Sequence, residues 1–87
     1  WNKFEMLEDE INASERGGVD GQGAVRLMRR ASALIDACRD EEFALKERAG
    51  SLGRFELNQL NVIDQRTEAA AALWRRAERL LNIAVAA

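Results

Sequence analysis

Six arginines in two clusters are the side chains best suited to chemistry in this sequence: Arg26, Arg29 and Arg30 in one, Arg75, Arg76 and Arg79 in the other. Guanidinium groups are planar, permanently charged forks of donors that match phosphate and carboxylate oxygens. If the two clusters converge, they would suit a phosphate, a nucleic-acid backbone or an acidic protein surface. Against them stand Glu8, Asp9, Glu10 and Glu15, and neutralisation within the chain is the plainer expectation. The net charge of −2 and the pI near 5.2 point the same way, because non-specific attraction to nucleic acid or an anionic membrane calls for a basic excess. Nucleic-acid or phosphate binding at the arginine-rich end is kept only as a weak alternative.

The remaining candidates carry less. Asp36, the run Asp40-Glu41-Glu42 and Glu47 contain enough carboxylates for a metal or for acid–base work, but successive helical residues point in different directions. The chain also has no histidine to complete a ligand set. A solvated face, with Glu42 and Lys46 as a favourable i,i+4 pair, explains the run better. Cys38 is the one cysteine; with no histidine to activate it, it reads as a core residue rather than a nucleophile. Gly21-Gln22-Gly23 lacks the preceding strand and the third glycine of a dinucleotide loop, and Asn12-Ala13-Ser14 is a chance glycosylation pattern. No catalytic, cofactor-binding or metal-binding residue is assigned, and no cofactor is expected. Trp1 is either an exposed docking residue or a packed cap, whereas Trp74 reads as a core anchor.

The elements that must position these residues are helical. Trp1, Phe4, Leu7 and Ile11 recur at three-to-four-residue intervals, which predicts a short amphipathic helix over residues 1–16. Glycines in 17–23 read as a loop, with Asp20 as a helix N-cap. A seam of Met28, Ala31, Ile35, Cys38, Leu45, Ala49 and Leu52, broken by Glu42, marks a second helix over 24–49. A matching seam of Leu60, Ile63, Ala70, Trp74, Ala77, Leu81 and Ala84, broken by Thr67, marks a third over 51–87. Gly50-Ser51 reads as a stop signal followed by an N-cap, hence a tight turn at 50–51. That turn would set Leu45 near Leu57, Cys38 near Asp64, Ile35 near Thr67, Ala31 near Ala71 and Met28 near Trp74.

At ~1.5 Å per residue the second helix would be about 39 Å long and the third about 55 Å. Leu80, Leu81, Ile83 and Val85 would then overhang and need a cover, from the 17–23 loop or from another chain. Leu27, Leu34, Val62, Leu73 and Leu80 form a second apolar edge for the first helix to cover. The fold class is therefore all-α: a long antiparallel hairpin with a shorter N-terminal helix, forming one domain over 1–87 as a three-helix bundle or as part of a larger helical assembly.

Eighty-seven residues can bury only a small core. No run reaches the ~20 apolar residues of a membrane span. Single-cysteine usage suits a reducing, intracellular setting, expected to be cytoplasmic. The opening at Trp1 and the closing run Ile83–Ala87 suggest a segment of a longer protein. The expected function is a non-enzymatic subunit, scaffold or adaptor that contacts a protein partner or a second copy through helices. A helical-hairpin chaperone or export adaptor is the alternative. Trp1, Leu80, Leu81, Ile83, Val85 and the six arginines are the candidate contact residues.

Overall fold

Glycine, capping residues and apolar spacing divide the chain into three helices in the computed structural model, which describes residues 2–49 and 53–86. They are α1 (Asn2–Gly17), α2 (Gly21–Ala49) and α3 (Arg54–Ala86). The last two form an antiparallel hairpin, and α1 packs against both. Trp1 and the Gly50-Ser51 turn lie outside the described residues.

The link between α1 and α2 is shorter than the glycines suggest. Gly18 adopts a φ of +86°, and its N–H donates to the Ser14 carbonyl at 2.8 Å, the left-handed stop that ends a helix. Helix α2 then starts at Gly21, not at 24, so Gly21-Gln22-Gly23 is helical. Asp20 explains this: its carboxylate Oδ1 accepts from the Gly23 N–H at 2.7 Å, and its carbonyl accepts from the Ala24 N–H at 3.0 Å. A satisfied N-cap offsets the poor helix propensity of the two glycines. At the other end α3 starts at Arg54 rather than 51, with the Gly53 carbonyl accepting from the Leu57 N–H at 3.0 Å. The two long helices therefore have nearly equal lengths, 29 and 33 residues, and most of the expected overhang disappears. Leu45 lines a groove together with Gln59 and Ile63, and Leu57 is 53 % exposed.

Among the described side chains the seam is as the spacing predicts, and its members Ala49 and Leu52 lie outside them. Ala31, Leu45, Ile63, Ala70 and Ala77 are buried, and Met28, Ile35, Cys38, Leu60, Trp74, Leu81 and Ala84 are half-buried. Both exceptions are accommodated. Thr67 turns its hydroxyl onto the Ile63 carbonyl at 2.9 Å, and Glu42 stays at the rim, paired with Lys46 at 2.9 Å.

Helix α1 covers only part of this hairpin. Its Leu7 and Ile11 are fully buried and form one cluster with Ala24, Leu27, Ala31, Leu73, Ala77 and Leu80. At ~1.5 Å per residue α1 is about 24 Å long, against a molecule 52 Å long, 17 Å wide and 15 Å deep. Positions seven residues apart stay on one side of such a seam, and they show where the cover ends. On the α1 side, α2 carries Leu27, Leu34, Glu41 and Arg48, and α3 carries Leu80, Leu73, Arg66 and Gln59. Leucine lines the covered half and polar side chains line the rest.

Candidate interaction surfaces

At the covered end, the arginine clusters serve first to hold α1. Arg76 on α3 grips Glu15 with both arms of its guanidinium, Nε to Oε2 at 3.2 Å and Nη2 to Oε1 at 2.5 Å, and also donates to Oδ1 of Asn12. A bidentate, charge-assisted pair of this kind is stronger and more directional than a simple surface contact. The hydrogen bond from Arg76 is the main reason the Glu15 carboxyl titrates below its ordinary value, with the charges of Arg76 and Arg79 adding to it. The same pair raises Arg76. On α2, Arg30 pairs with Glu10. Each cluster thus gives one arginine to α1, as internal neutralisation requires. Arg26 lines a shallow groove of about 380 Å³ beside Arg30 and Glu10, and Arg29, Arg75 and Arg79 are exposed.

Of the apolar candidates at this end, Leu80 is buried in the chain's own core and Leu81 packs against that core. The cover comes from the start of α2, where a Cβ on Gly21 would sit 3.9 Å from Leu81 Cδ1. Ile83 and Val85 remain 67 % and 76 % exposed.

The uncovered end contains a groove that the spacing did not single out. Beyond the N-terminal end of α1, the cleft between α2 and α3 continues as a groove of about 740 Å³. Its floor is apolar, with Leu45 and Ile63 buried at the base and Ala44, Phe55 and Val62 open above them. Its rims are Glu41 and Arg48 on α2 and Gln59 and Arg66 on α3. Glu41 and Arg66 face each other at 3.7 Å across the inner end. The same two residues border a smaller notch of about 240 Å³ beneath Phe4 at the end of α1, where Cys38 is half-buried. The filled and the open groove are therefore one continuous cleft. The sequence signal for it was Val62, placed on the edge that α1 covers but 44 % exposed here because α1 ends short of it.

The acidic run provides rim and surface residues. Asp40 and Glu41 are exposed, and among the described residues no group of three or more carboxylate or thiol side chains converges as metal ligands would. No helix among the described residues is long and apolar enough to cross a membrane. Comparison with protein families, curated proteins and solved structures finds no match to this chain.

Proposed function

We propose that this protein is a non-enzymatic interaction module, a subunit, scaffold or adaptor that works by helix-to-helix packing in the open half of the cleft between α2 and α3. One observation carries the reading: a single cleft is filled by a helix along one part and open along the other, with an apolar floor between charged rims. An apolar centre within a polar border is the anatomy of a protein interface, and an amphipathic helix laid in a groove is a recurrent mode of recognition.

Shape adds support. A monomer of this mass typically exposes about 5,100 Å², and this chain exposes 6096 Å². Its radius of gyration is 15.6 Å, where about 12 Å is usual for the length. The surplus surface is what an elongated module offers to a partner. A chaperone or export adaptor would use the same groove for a client helix. Engagement of Arg30 and Arg76 by α1 argues against a nucleic-acid role for the arginine end.

The test is a photo-crosslinking side chain placed at Val62 in the groove and, as control, at Phe43, which is exposed but does not line it. In the cell that makes the protein, Val62 should give a defined protein adduct and Phe43 should not. Equal yields at both positions, or none at Val62, would overturn the reading.

A further inference from the structure

Resting on the groove as a docking surface, we propose that its occupant is an acidic amphipathic helix of a partner protein, about two to three turns long, with a carboxylate seated on Arg48. The filled half of the cleft shows the chemistry. There, buried Leu27 and Leu73 are each followed three positions later by the arginine that holds α1, Arg30 and Arg76. Residues three apart share a helix face, so each pair sets a rim cation beside a floor residue. Both cations take a carboxylate of α1, Arg30 from Glu10 and Arg76 from Glu15. The helix that supplies them is itself acidic, with five carboxylates against two cations.

The open half repeats this arrangement without a helix to answer it. Buried Leu45 and Ile63 are followed at the same spacing by Arg48 and Arg66. On α2 the repeat falls eighteen residues along, about five whole turns, so Arg48 faces the way Arg30 does. Arg66 is met by Glu41 from the opposite rim at 3.7 Å. Arg48 is exposed and forms no ion pair among the described residues. Glu56 borders the same end, but its carboxylate turns back to the start of α3, with Oε2 2.9 Å from where a Gly53 Cβ would stand. The opposing charge at Arg48 must therefore come from the occupant. A second copy's α1 is not free to bring it, since Leu7 and Ile11 are fully buried and Glu10 and Glu15 are engaged in their own chain. Leu45 and Ile63 at the base require an apolar stripe on the incoming helix. Glu41 to Arg48 spans about 10 Å and Phe55 to Arg66 about 16 Å, which sets the length. The carboxylate belongs at the end away from Glu41, where a like charge would be repelled.

The probe is a displayed library of alanine-based helical peptides of about three turns, with leucine at i, i+3, i+4 and i+7 and the flanking positions randomised among Glu, Gln and Lys, selected against the full chain at low salt. Glu should be enriched on a flank near one end, and selection against Arg48→Glu should enrich Lys there instead. In fluorescence anisotropy the selected peptide should bind the unsubstituted chain with a Kd on the order of 10–100 μM. Arg48→Glu should weaken it about tenfold or more, and Arg29→Glu, at an exposed arginine of the other end, should change it by less than about twofold. Circular dichroism of each variant checks that these exposed substitutions leave the fold intact. Enrichment of Gln or Lys against the unsubstituted chain, or binding indifferent to Arg48→Glu, overturns the proposal. If such a peptide still loses its binding with Val62→Arg, the docking surface stands and only the charge of the occupant is wrong. If no selected peptide depends on Val62, the docking surface falls as well.

Discussion

Gly23→Ala is the substitution on which local helix preference and the packing of the α1–α2 link disagree most clearly. In a helix, alanine is favoured over glycine by about 1 kcal/mol. Here a Cβ would lie 2.4 Å from Val19 Cγ2 and 3.0 Å from Asp20 Oδ1. Val19 packs on the core cluster, and Asp20 Oδ1 accepts the capping bond from the Gly23 N–H at 2.7 Å. Making room forces Val19 off its rotamer, at about 0.5–1.5 kcal/mol, and displaces some of its packing, at about 1 kcal/mol. Losing the cap costs about 1 kcal/mol more. Set against the propensity gain, the net is destabilisation by about 1.5–2.5 kcal/mol. Gly21→Ala is the internal control: its Cβ meets only Leu81 Cδ1 at 3.9 Å, an ordinary contact, so it should stabilise by about 0.5–1 kcal/mol. In urea denaturation followed by circular dichroism, with a slope of about 1 kcal/mol per molar, the Gly23→Ala midpoint should fall by about 1.5–2.5 M and that of Gly21→Ala should rise. A Gly23→Ala midpoint at or above that of the unsubstituted chain would refute the reasoning, because it would mean that propensity alone governs this turn.

Three further outcomes follow from the same contacts. Leu73, 2 % exposed between α1 and the hairpin, should lose about 2–5 kcal/mol on truncation to alanine; Val62→Ser, at a site 44 % exposed, should stay within about 1 kcal/mol in the monomer, and chemical denaturation distinguishes the two. Gly18→Ala, at a φ of +86°, should destabilise by about 1–2 kcal/mol because the left-handed region disfavours a side chain, which thermal melting reads directly. The Glu15 carboxyl titrates below its ordinary value because Arg76 bonds its charged form, so its contribution is present above the unfolded-state pKa and fades as pH falls through the folded one. The stability gap between the unsubstituted chain and Glu15→Gln should therefore shrink from neutral pH into acid, and a gap that stays constant in a pH series of melts would contradict the pairing.

How much of this was legible depends on which force dominates each element. The seams of α2 and α3 were readable because burial of one helical face imposes its period on the sequence, even through Glu42 and Thr67, whose polar atoms find local partners at Lys46 and the Ile63 carbonyl. The start of α2 is not legible in the same way, because three neighbouring glycine-rich positions look like a loop until the Asp20 cap and the fit of Gly23 beneath Val19 are seen. Reading these positions as loop shortens α2 and implies an overhang that the molecule, with helices of 29 and 33 residues, barely has. Of the four acidic residues that a folded-back first helix brings towards the arginines, Glu10 and Glu15 pair with Arg30 and Arg76. The groove was hidden for a different reason. Its floor uses the same seam residues as the core, and what distinguishes it is where a third helix stops.

That stopping point is written in the rim. On the side facing α1, Leu27 and Leu34 give way to Glu41 and Arg48 on α2, and Leu80 and Leu73 to Arg66 and Gln59 on α3. Had leucine continued to the tip, the open cleft would be an apolar strip able to associate with almost any exposed hydrophobic surface. Polar side chains at the four rim positions, three of them charged, leave Leu45 and Ile63 at the base while setting a condition on any occupant. It must bring an acidic group to Arg48, or leave that guanidinium desolvated and unmatched, and it must fit around the Glu41–Arg66 pair. The Glu41–Arg66 pair at 3.7 Å stands where the leucine lining ends, so the boundary of α1 and the entrance to the groove are set by the same two residues. On the docking reading proposed above, selectivity would reside in the placement of rim charges, and apolar area would supply the part of the affinity that any helix could share.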